Sequence, residues 1–346
     1  MSKIIYLAFE NLPQRYTKMW NDSFISCMSS NDIVVWGNNQ EERVIKNGEF
    51  LDICDTIAYK QTQIIKVADL FNKGIIEDGN TFFVPDIFYP GLASIRYMSE
   101  LIGIKVKIVA FNHAGRADKD DFVQKLKAWS DIQEQAWHEM CDVILVGSKY
   151  HKERVAKAFR KDNIVVTGAI WSKTWIDNYC KGISRKKENY IIYPHRPCRE
   201  KRFDLFLEIA KKNPSLNFVI TSSGNNRLQG VQLPLNVTYK YNLTKKEYYE
   251  IFAHAKGYLS TAFQETFGYT LQEAIYFNCQ VVVPDYACYR EYANESSIVS
   301  FKHMCQEGYL TKLYNEKNLR KSKQFTDNAQ FFYKICKQEN NYFRQM

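Results

Sequence analysis

The run Ser260-Thr261-Ala262-Phe263-Gln264-Glu265-Thr266-Phe267-Gly268-Tyr269-Thr270-Leu271-Gln272-Glu273-Ala274 decides how this chain is read. Two carboxylates, Glu265 and Glu273, stand eight positions apart in it. Gly257-Tyr258-Leu259-Ser260 before it reads as a buried strand ending in a turn. Gln280-Val281-Val282-Val283-Pro284 after it reads as an apolar strand stopped by proline. Strand, loop, helix and strand in that order form the crossover from which a parallel sheet is built. Ligands of open parallel sheets bind outside the carboxyl ends of the strands. Glu265 falls in such a loop, and Glu273 falls on the helix that follows. An ionised carboxylate only accepts hydrogen bonds, and sugar hydroxyls donate them. The pair therefore suits a polyol, with Gly268 allowing close backbone approach and a helix start facing an anion. Taken alone, two glutamates also fit a surface loop and a solvated helix face.

A second run, Pro194-His195-Arg196-Pro197-Cys198-Arg199-Glu200-Lys201-Arg202, follows the apolar stretch Asn189–Tyr193. Arg196 and Lys201 are five positions apart. A guanidinium fork matches phosphate oxygens, and an ammonium adds a point charge.

Together these runs resemble the nucleotide-sugar site of retaining GT-B glycosyltransferases, in particular the family 4 group. The resemblance rests on the Glu-x7-Glu spacing, the Phe267-Gly268 pair, and the tail Ala274, Cys279, Val281, Val282 and Pro284. Asn278 and Gln280 stand where that family often has Gly and Pro. The resemblance implies an α/β protein of the GT-B fold, with two Rossmann-like domains facing a cleft. It implies a retaining glycosyltransferase that uses a UDP- or GDP-linked sugar as co-substrate, with no cofactor and no metal. It assigns catalysis to His113, Arg196, Lys201 and Glu265, and donor binding to Ser222, Gly224, Phe267, Gly268, Tyr269, Thr270 and Glu273. The Pro-His-Arg…Lys wording is also similar to the tRNA-queuosine mannosyltransferase-like branch.

The alternation of strand and helix signals gives the domain boundaries, and the resemblance implies the domain roles and the crossing last helix. Residues 1–168 form an N-terminal Rossmann-like acceptor domain and 169–188 a linker. Residues 189–324 form the nucleotide-sugar domain, and 325–346 a last helix crossing back to the first domain. Strands are expected at Ile4–Phe9, Asp32–Gly37, Thr81–Asp86, Lys105–Phe111, Asp142–Ser148 and Asn163–Gly168, with a helix over Ser23–Ser30. His113 follows the fourth of these strands, beside Gly115. A lone histidine there also fits a structural role. Asp118, Asp120 and Asp121 read as helix-capping residues rather than metal ligands. Thr244 with Glu247 reads as a capping box.

With 346 residues and 45% hydrophobic content, the chain can bury one large core or two medium ones. No apolar run reaches about eighteen residues, so no membrane span is expected. Nine scattered cysteines without a Cys-x-x-Cys argue for a cytoplasmic setting and against a disulfide framework. Lys plus Arg total 47 against 38 Asp plus Glu, a net charge of +9. That excess attracts nucleotide diphosphates, nucleic acid or anionic lipid.

The acceptor reading leans on these charges. Lys149 to Lys161 is a basic helix, and Phe88 and Tyr89 form an aromatic loop. With Glu10 and Arg116 these two aromatics are the candidate acceptor contacts. Aromatic rings beside cations suit a displaced base, so a modified base in DNA (5-hydroxymethylcytosine) or tRNA is expected as acceptor. A cell-surface glycan or lipid-linked acceptor, with peripheral membrane contact, is the alternative. A non-catalytic nucleotide-sugar binding protein is the reading from another class. The loop Glu10–Tyr16 lacks the glycines that the resemblance would place there.

Overall fold

The structure is a computed structural model that describes residues 2–12, 15–38, 55–222, 227–315, 319 and 322–338. The chain divides into two compact units, Met1–Ser172 with Asp327–Met346, and Lys173–Thr326.

In the first unit the order is β1 (Ile4–Leu7), α1 (Tyr16–Ile25), β2 (Ile33–Val35), α2 (Thr56–Asn72), β3 (Thr81–Val84), α3 (Leu92–Leu101), β4 (Lys107–Asn112), α4 (Lys127–Met140), β5 (Val143–Val146), α5 (Lys149–Phe159) and β6 (Ile164–Val166). The strands form one six-stranded parallel sheet, ordered β2-β1-β3-β4-β5-β6. Strands β1, β3, β4 and β5 are buried throughout. That is what helices on both faces of a parallel sheet produce, and it is why the strands read as apolar runs without alternation. The helix expected over Ser23–Ser30 lies earlier, at Tyr16–Ile25, because Trp20 and Phe24 are the residues it buries.

The helix Ala329–Lys337 also belongs to this unit. Its Phe332 packs against Trp20, Phe83 and Phe111, and Lys337 Nζ donates to Asp32 Oδ1 at 2.7 Å. Residues 339–346, also expected to be helical, lie outside the described residues.

The second unit runs α6 (Lys173–Tyr179), β7 (Glu188–Tyr193), α7 (Phe203–Lys212), β8 (Phe218–Thr221), β9 (Val237–Lys240), α8 (Lys245–His254), β10 (Ala255–Leu259), α9 (Tyr269–Tyr276), β11 (Gln280–Pro284) and β12 (Ile298–Val299). Its parallel sheet is ordered β12-β11-β10-β7-β8-β9. Helix α7 buries Leu205, Phe206, Ile209 and Ala210, the face its apolar spacing predicts. The capping box of α8 is formed by Thr244 and Glu247 in both directions. The stretch 169–188, expected as bare linker, contains α6. Trp175 and Ile176 are buried there, and two apolar residues suffice to dock one short helix. No helix among the described residues is long and apolar enough to cross a membrane.

Candidate active site

The second sheet is wound in both directions from β7. Strands β8 and β9 extend to one side, and β10, β11 and β12 to the other. Neighbouring strands β7 and β10 therefore flank the point where the order reverses, and a crevice forms outside their carboxyl ends. The loops after these strands carry the Arg196–Lys201 run and the Ser260–Gly268 run.

Polar side chains at the strand ends tie the two loops together. Tyr193 Oη donates to Lys201 O at 2.7 Å. Thr261 Oγ1 donates to Lys201 O at 2.7 Å and to Arg202 O at 3.1 Å. His195 Nε2 lies 2.9 Å from Ser260 Oγ, which lies 2.7 Å from Tyr289 Oη. Burial pushes the His195 pKa down, and Lys201 and Arg196 push it the same way. His195 is thus a neutral spacer. Of these, sequence reading quoted Tyr193, His195, Ser260 and Thr261 without a role. Their signal was polar character directly after an apolar strand.

The charged groups follow from this frame. Lys201 Nζ donates to Gln264 O at 2.8 Å and to Glu265 Oε2 at 3.1 Å. Both side chains are largely covered. Glu265 Oε1 accepts the Gly268 N–H at 3.2 Å. Gly268 has φ +79, a left-handed conformation suited to glycine, and it starts α9. Arg196 donates to Glu200 Oε1 from Nε at 3.1 Å and from a terminal nitrogen at 2.7 Å. The Phe263 N–H donates to Glu200 O at 3.2 Å, closing the ring of loops. Arg196, Lys201 and Glu265 are therefore carried on adjoining loops, with Lys201 paired to Glu265 and Arg196 to Glu200.

Glu200 was not singled out in the sequence, although a carboxylate four residues after an arginine was a visible signal. Burial raises its pKa, but contacts to Cys198 and Arg196 outweigh this and hold the carboxyl below its ordinary range. It competes with any phosphate for Arg196. Glu200→Gln is expected to tighten UDP or GDP binding about three- to tenfold, the weight of one partly exposed ion pair. Titration calorimetry checks this, and unchanged or weaker binding would remove the competitor role.

The second glutamate behaves differently. Glu273 is 6% exposed. Its carboxylate accepts Tyr248 Oη at 2.5 Å and Tyr249 Oη at 3.2 Å, with Lys245 Nζ 3.8 Å away. The Lys245 ammonium also lies over the rings of Tyr248 and Tyr249. Burial raises the Glu273 pKa, while Lys245 and the two tyrosines pull it back. Among the hydrogen bonds described, none links Glu273 to the Lys201–Glu265 group. It forms a separate cluster at the start of α8.

The other donor candidates are placed as follows. The Phe267 ring is buried against Tyr269, Tyr292 and Phe325, so it packs the loop. Thr270 Oγ1 lies 2.9 Å from Tyr258 Oη, and half-buried Tyr269 opens α9. Ser222 Oγ lies 2.6 Å from Tyr239 Oη after β8. Gly224 lies outside the described residues.

In the first unit, His113 follows β4 and its Nε2 lies 2.9 Å from Pro85 O. Phe9, Tyr16, Trp20 and Phe111 surround its ring. Burial lowers its pKa, so the imidazole is neutral at pH 7. Glu10 is half-buried after β1.

Two acceptor expectations are corrected. Phe88 and Tyr89 are 1% and 2% exposed and belong to the core of the first unit. Phe88 packs edge-on to Trp137, so neither ring offers a face to a displaced base. Arg116 donates to Asp131 Oδ1 and Gln135 Oε1 at 3.0 Å and to Ala158 O at 3.2 Å, and it lies over Phe159. It braces α4 and α5 rather than facing a ligand. Asp121 caps a short helical turn by accepting the Val123 N–H at 2.9 Å.

The model of the family described as Glycosyl transferases group 1 matches residues 180–330, most of the second unit. No curated protein matches the chain. Among solved structures, sucrose-phosphate synthase from Thermosynechococcus elongatus is 10% identical with a TM-score of 0.65, over 100% of this chain and 99% of its own. An alpha,alpha-trehalose-phosphate synthase (UDP-forming) from Burkholderia vietnamiensis is 11% identical with a TM-score of 0.61, over 99% and 96%. A TarM mutant of S. aureus in complex with Fondaparinux, alpha-GlcNAc-glycerol and UDP is 16% identical with a TM-score of 0.52. There the match covers 84% of this chain, which spans only 58% of TarM. At these identities the likeness is one of fold, the two parallel sheets of GT-B glycosyltransferases.

Proposed function

We propose that this chain, whose second unit is matched by the group 1 glycosyltransferase model, moves a sugar from a nucleotide-sugar donor to a hydroxyl acceptor with retention. One observation carries the reading. Lys201 is pinned between Gln264 O and Glu265 Oε2 at the switch point of the second sheet, on the same loop as Arg196. Two cations there meet the two charges of a diphosphate, and Glu265 is placed to accept from sugar hydroxyls.

In the reaction the acceptor oxygen forms a bond to the anomeric carbon. The bond from that carbon to the diphosphate oxygen breaks, and its electron pair leaves with the nucleotide diphosphate. Arg196 and Lys201 stabilise the charge that builds on the leaving group, where electrostatic preorganisation contributes most. The acceptor proton passes to the departing phosphate on the same face of the sugar, which preserves the anomeric configuration. The donor is a UDP- or GDP-linked sugar.

The acceptor we favour is a carbohydrate hydroxyl. Burial of Phe88 and Tyr89 removes the stacking platform that a DNA or tRNA base would need. The test is a matrix of UDP- and GDP-sugars against saccharides, lipid extract, tRNA and hydroxymethylated DNA, read by mass gain. Transfer to a saccharide with the anomer retained is the expected result. Mass gain on tRNA or DNA alone would restore the nucleic-acid acceptor. Nucleotide binding without transfer or hydrolysis of any donor would replace the enzyme with a binding protein.

A further inference from the structure

Beside the Arg196–Lys201 loop the second unit opens a groove of about 630 Å³, lined by Cys198, Arg199, Arg202, Phe203, Asp204 and Phe263. That volume suits one or two sugar rings, within the usual range of small-ligand sites. Arg196, Lys201 and Glu265 are not part of its lining.

The charges around the groove do not balance locally. Arg196 is answered by Glu200, and Lys201 by Glu265. Arg202 is held only loosely, with Nε 3.6 Å from Asp204 Oδ1 and its guanidinium over the Phe301 ring. The Arg199 guanidinium is exposed and has no partner among the described residues. A sugar nucleotide brings two charges on its diphosphate, and Arg196 with Lys201 already meet them. Arg199 is a cation in excess of what the donor requires, and Arg202 is only loosely answered by Asp204 within the same groove. They stand in a groove that also offers two half-buried phenyl rings, Phe203 and Phe263. The apolar C–H face of a sugar packs on such rings, while a guanidinium fork takes a phosphate or carboxylate in two parallel hydrogen bonds.

We propose that this groove is an acceptor subsite for an anionic saccharide, one that bears a phosphate or a carboxylate. Its ring lies against Phe203 and Phe263, and its charged group sits on Arg199 with Arg202 as second cation. The proposal rests on the nucleotide-sugar reading of the neighbouring loop for its division between donor and acceptor charges.

The test uses the full chain saturated with UDP and titrates in glucose 6-phosphate, glucuronate, glucose or orthophosphate by calorimetry. The wild type is expected to bind at least one of the two anionic sugars about tenfold or more tighter than glucose, and tighter than orthophosphate. Which of the two binds tells phosphate from carboxylate. Arg199→Gln, an exposed change that leaves the fold intact, is expected to remove most of that preference while the Kd for UDP stays within about twofold. Equal binding of charged and neutral sugars overturns the proposal. So does orthophosphate binding as tightly as glucose 6-phosphate, since the rings would then contribute nothing. An equal loss of UDP affinity in Arg199→Gln would make the groove part of the diphosphate seat and overturn it as well. Failure of the wild type to bind UDP or GDP at all would instead strike the nucleotide-sugar reading, and the sugar titrations without nucleotide would still judge the groove.

Discussion

Lys201→Ala is expected to lower kcat by about two orders of magnitude or more, with donor KM raised far less. The ammonium is the best-placed cation on the switch-point edge. It is held at 2.8 Å from Gln264 O and 3.1 Å from Glu265 Oε2, and it is largely covered by protein. A charge fixed in partial burial stabilises a developing anion without having to reorganise, and removal of one such donor costs on the order of 10²–10³ in rate. Arg196→Ala should fall in the same range. Because both cations would act on one leaving group, the double variant is expected to lose less than the product of the two single losses. Removal of Lys201 also leaves Glu265 without its ammonium, so some stability will go. Comparing the thermal melts of Lys201→Ala and Lys201→Met separates that loss from the loss of rate. Wild-type turnover in both alanine variants would sink the proposed mechanism.

The sequence carried the architecture well for a physical reason. Strands of a parallel sheet covered on both faces must be apolar at every position, so β1, β3, β4, β5 and β11 announce themselves as runs such as Val281-Val282-Val283. Loops at the carboxyl ends of those strands then hold the charged residues, which is why Arg196, Lys201 and Glu265 could be found together before any coordinates. What failed was the direction of side chains off regular strands. Phe88 and Tyr89 follow β3 in a loop, and an aromatic in a loop carries no periodicity to say whether it faces water or the core. Arg116 looked like a surface cation because its partners, Asp131, Gln135 and Ala158, are far along the chain.

Glu273 shows the same limit from the helical side. Its eight-residue spacing from Glu265 suggested a shared ligand. The helix starts only at Tyr269, so the spacing does not fix the rotation between the two carboxylates. Tyr248 and Tyr249, which take up Glu273, sit on α8, and their spacing gives no hint of that contact. Glu200 was the readable omission, since its distance from Arg196 is the spacing at which opposite charges pair.

The first unit should lose stability relative to its Glu134→Gln variant as pH rises from about 6.5 to 8. Glu134 lies on α4 and is fully buried. Its two oxygens share the Arg116 N–H at 3.1 and 3.0 Å, an N–H that cannot repay the hydration of a full charge. Gly115 leaves room for the carboxylate, since an added Cβ there would lie 2.4 Å from Glu134 Oε2. Burial is the main reason its pKa is pushed up from 4.5 to about 8, and the nearby Asp121 charge adds to it.

The folded state therefore keeps a proton on Glu134 that the unfolded state gives up above about 4.5. Stability falls with pH wherever the folded state binds more protons, so this contribution is lost between about 4.5 and 8 and is flat above. The buried histidines act in the opposite sense. His138 and His151 are lowered by burial to about 4 and 3, and His113 is lowered too, so they destabilise the fold increasingly as pH drops through about 6.5. At pH 6.5 the unfolded imidazoles are still half charged, so these histidines add a rising contribution up to about pH 7.5. Glu134→Gln carries the same histidines, and the difference between the two proteins isolates the Glu134 slope. At about 1.4 kcal/mol per pH unit for one proton, the loss over that interval is roughly 1–2 kcal/mol.

Urea unfolding followed by tryptophan fluorescence reads it, because five of the six tryptophans (Trp20, Trp36, Trp129, Trp137 and Trp171) lie in the first unit. The wild-type midpoint should fall relative to that of Glu134→Gln between pH 6.5 and 8, with the variant the more stable of the two at pH 8. Parallel midpoints across that interval would mean that Glu134 is ionised in the folded protein and that Arg116 and its surroundings stabilise the charge after all.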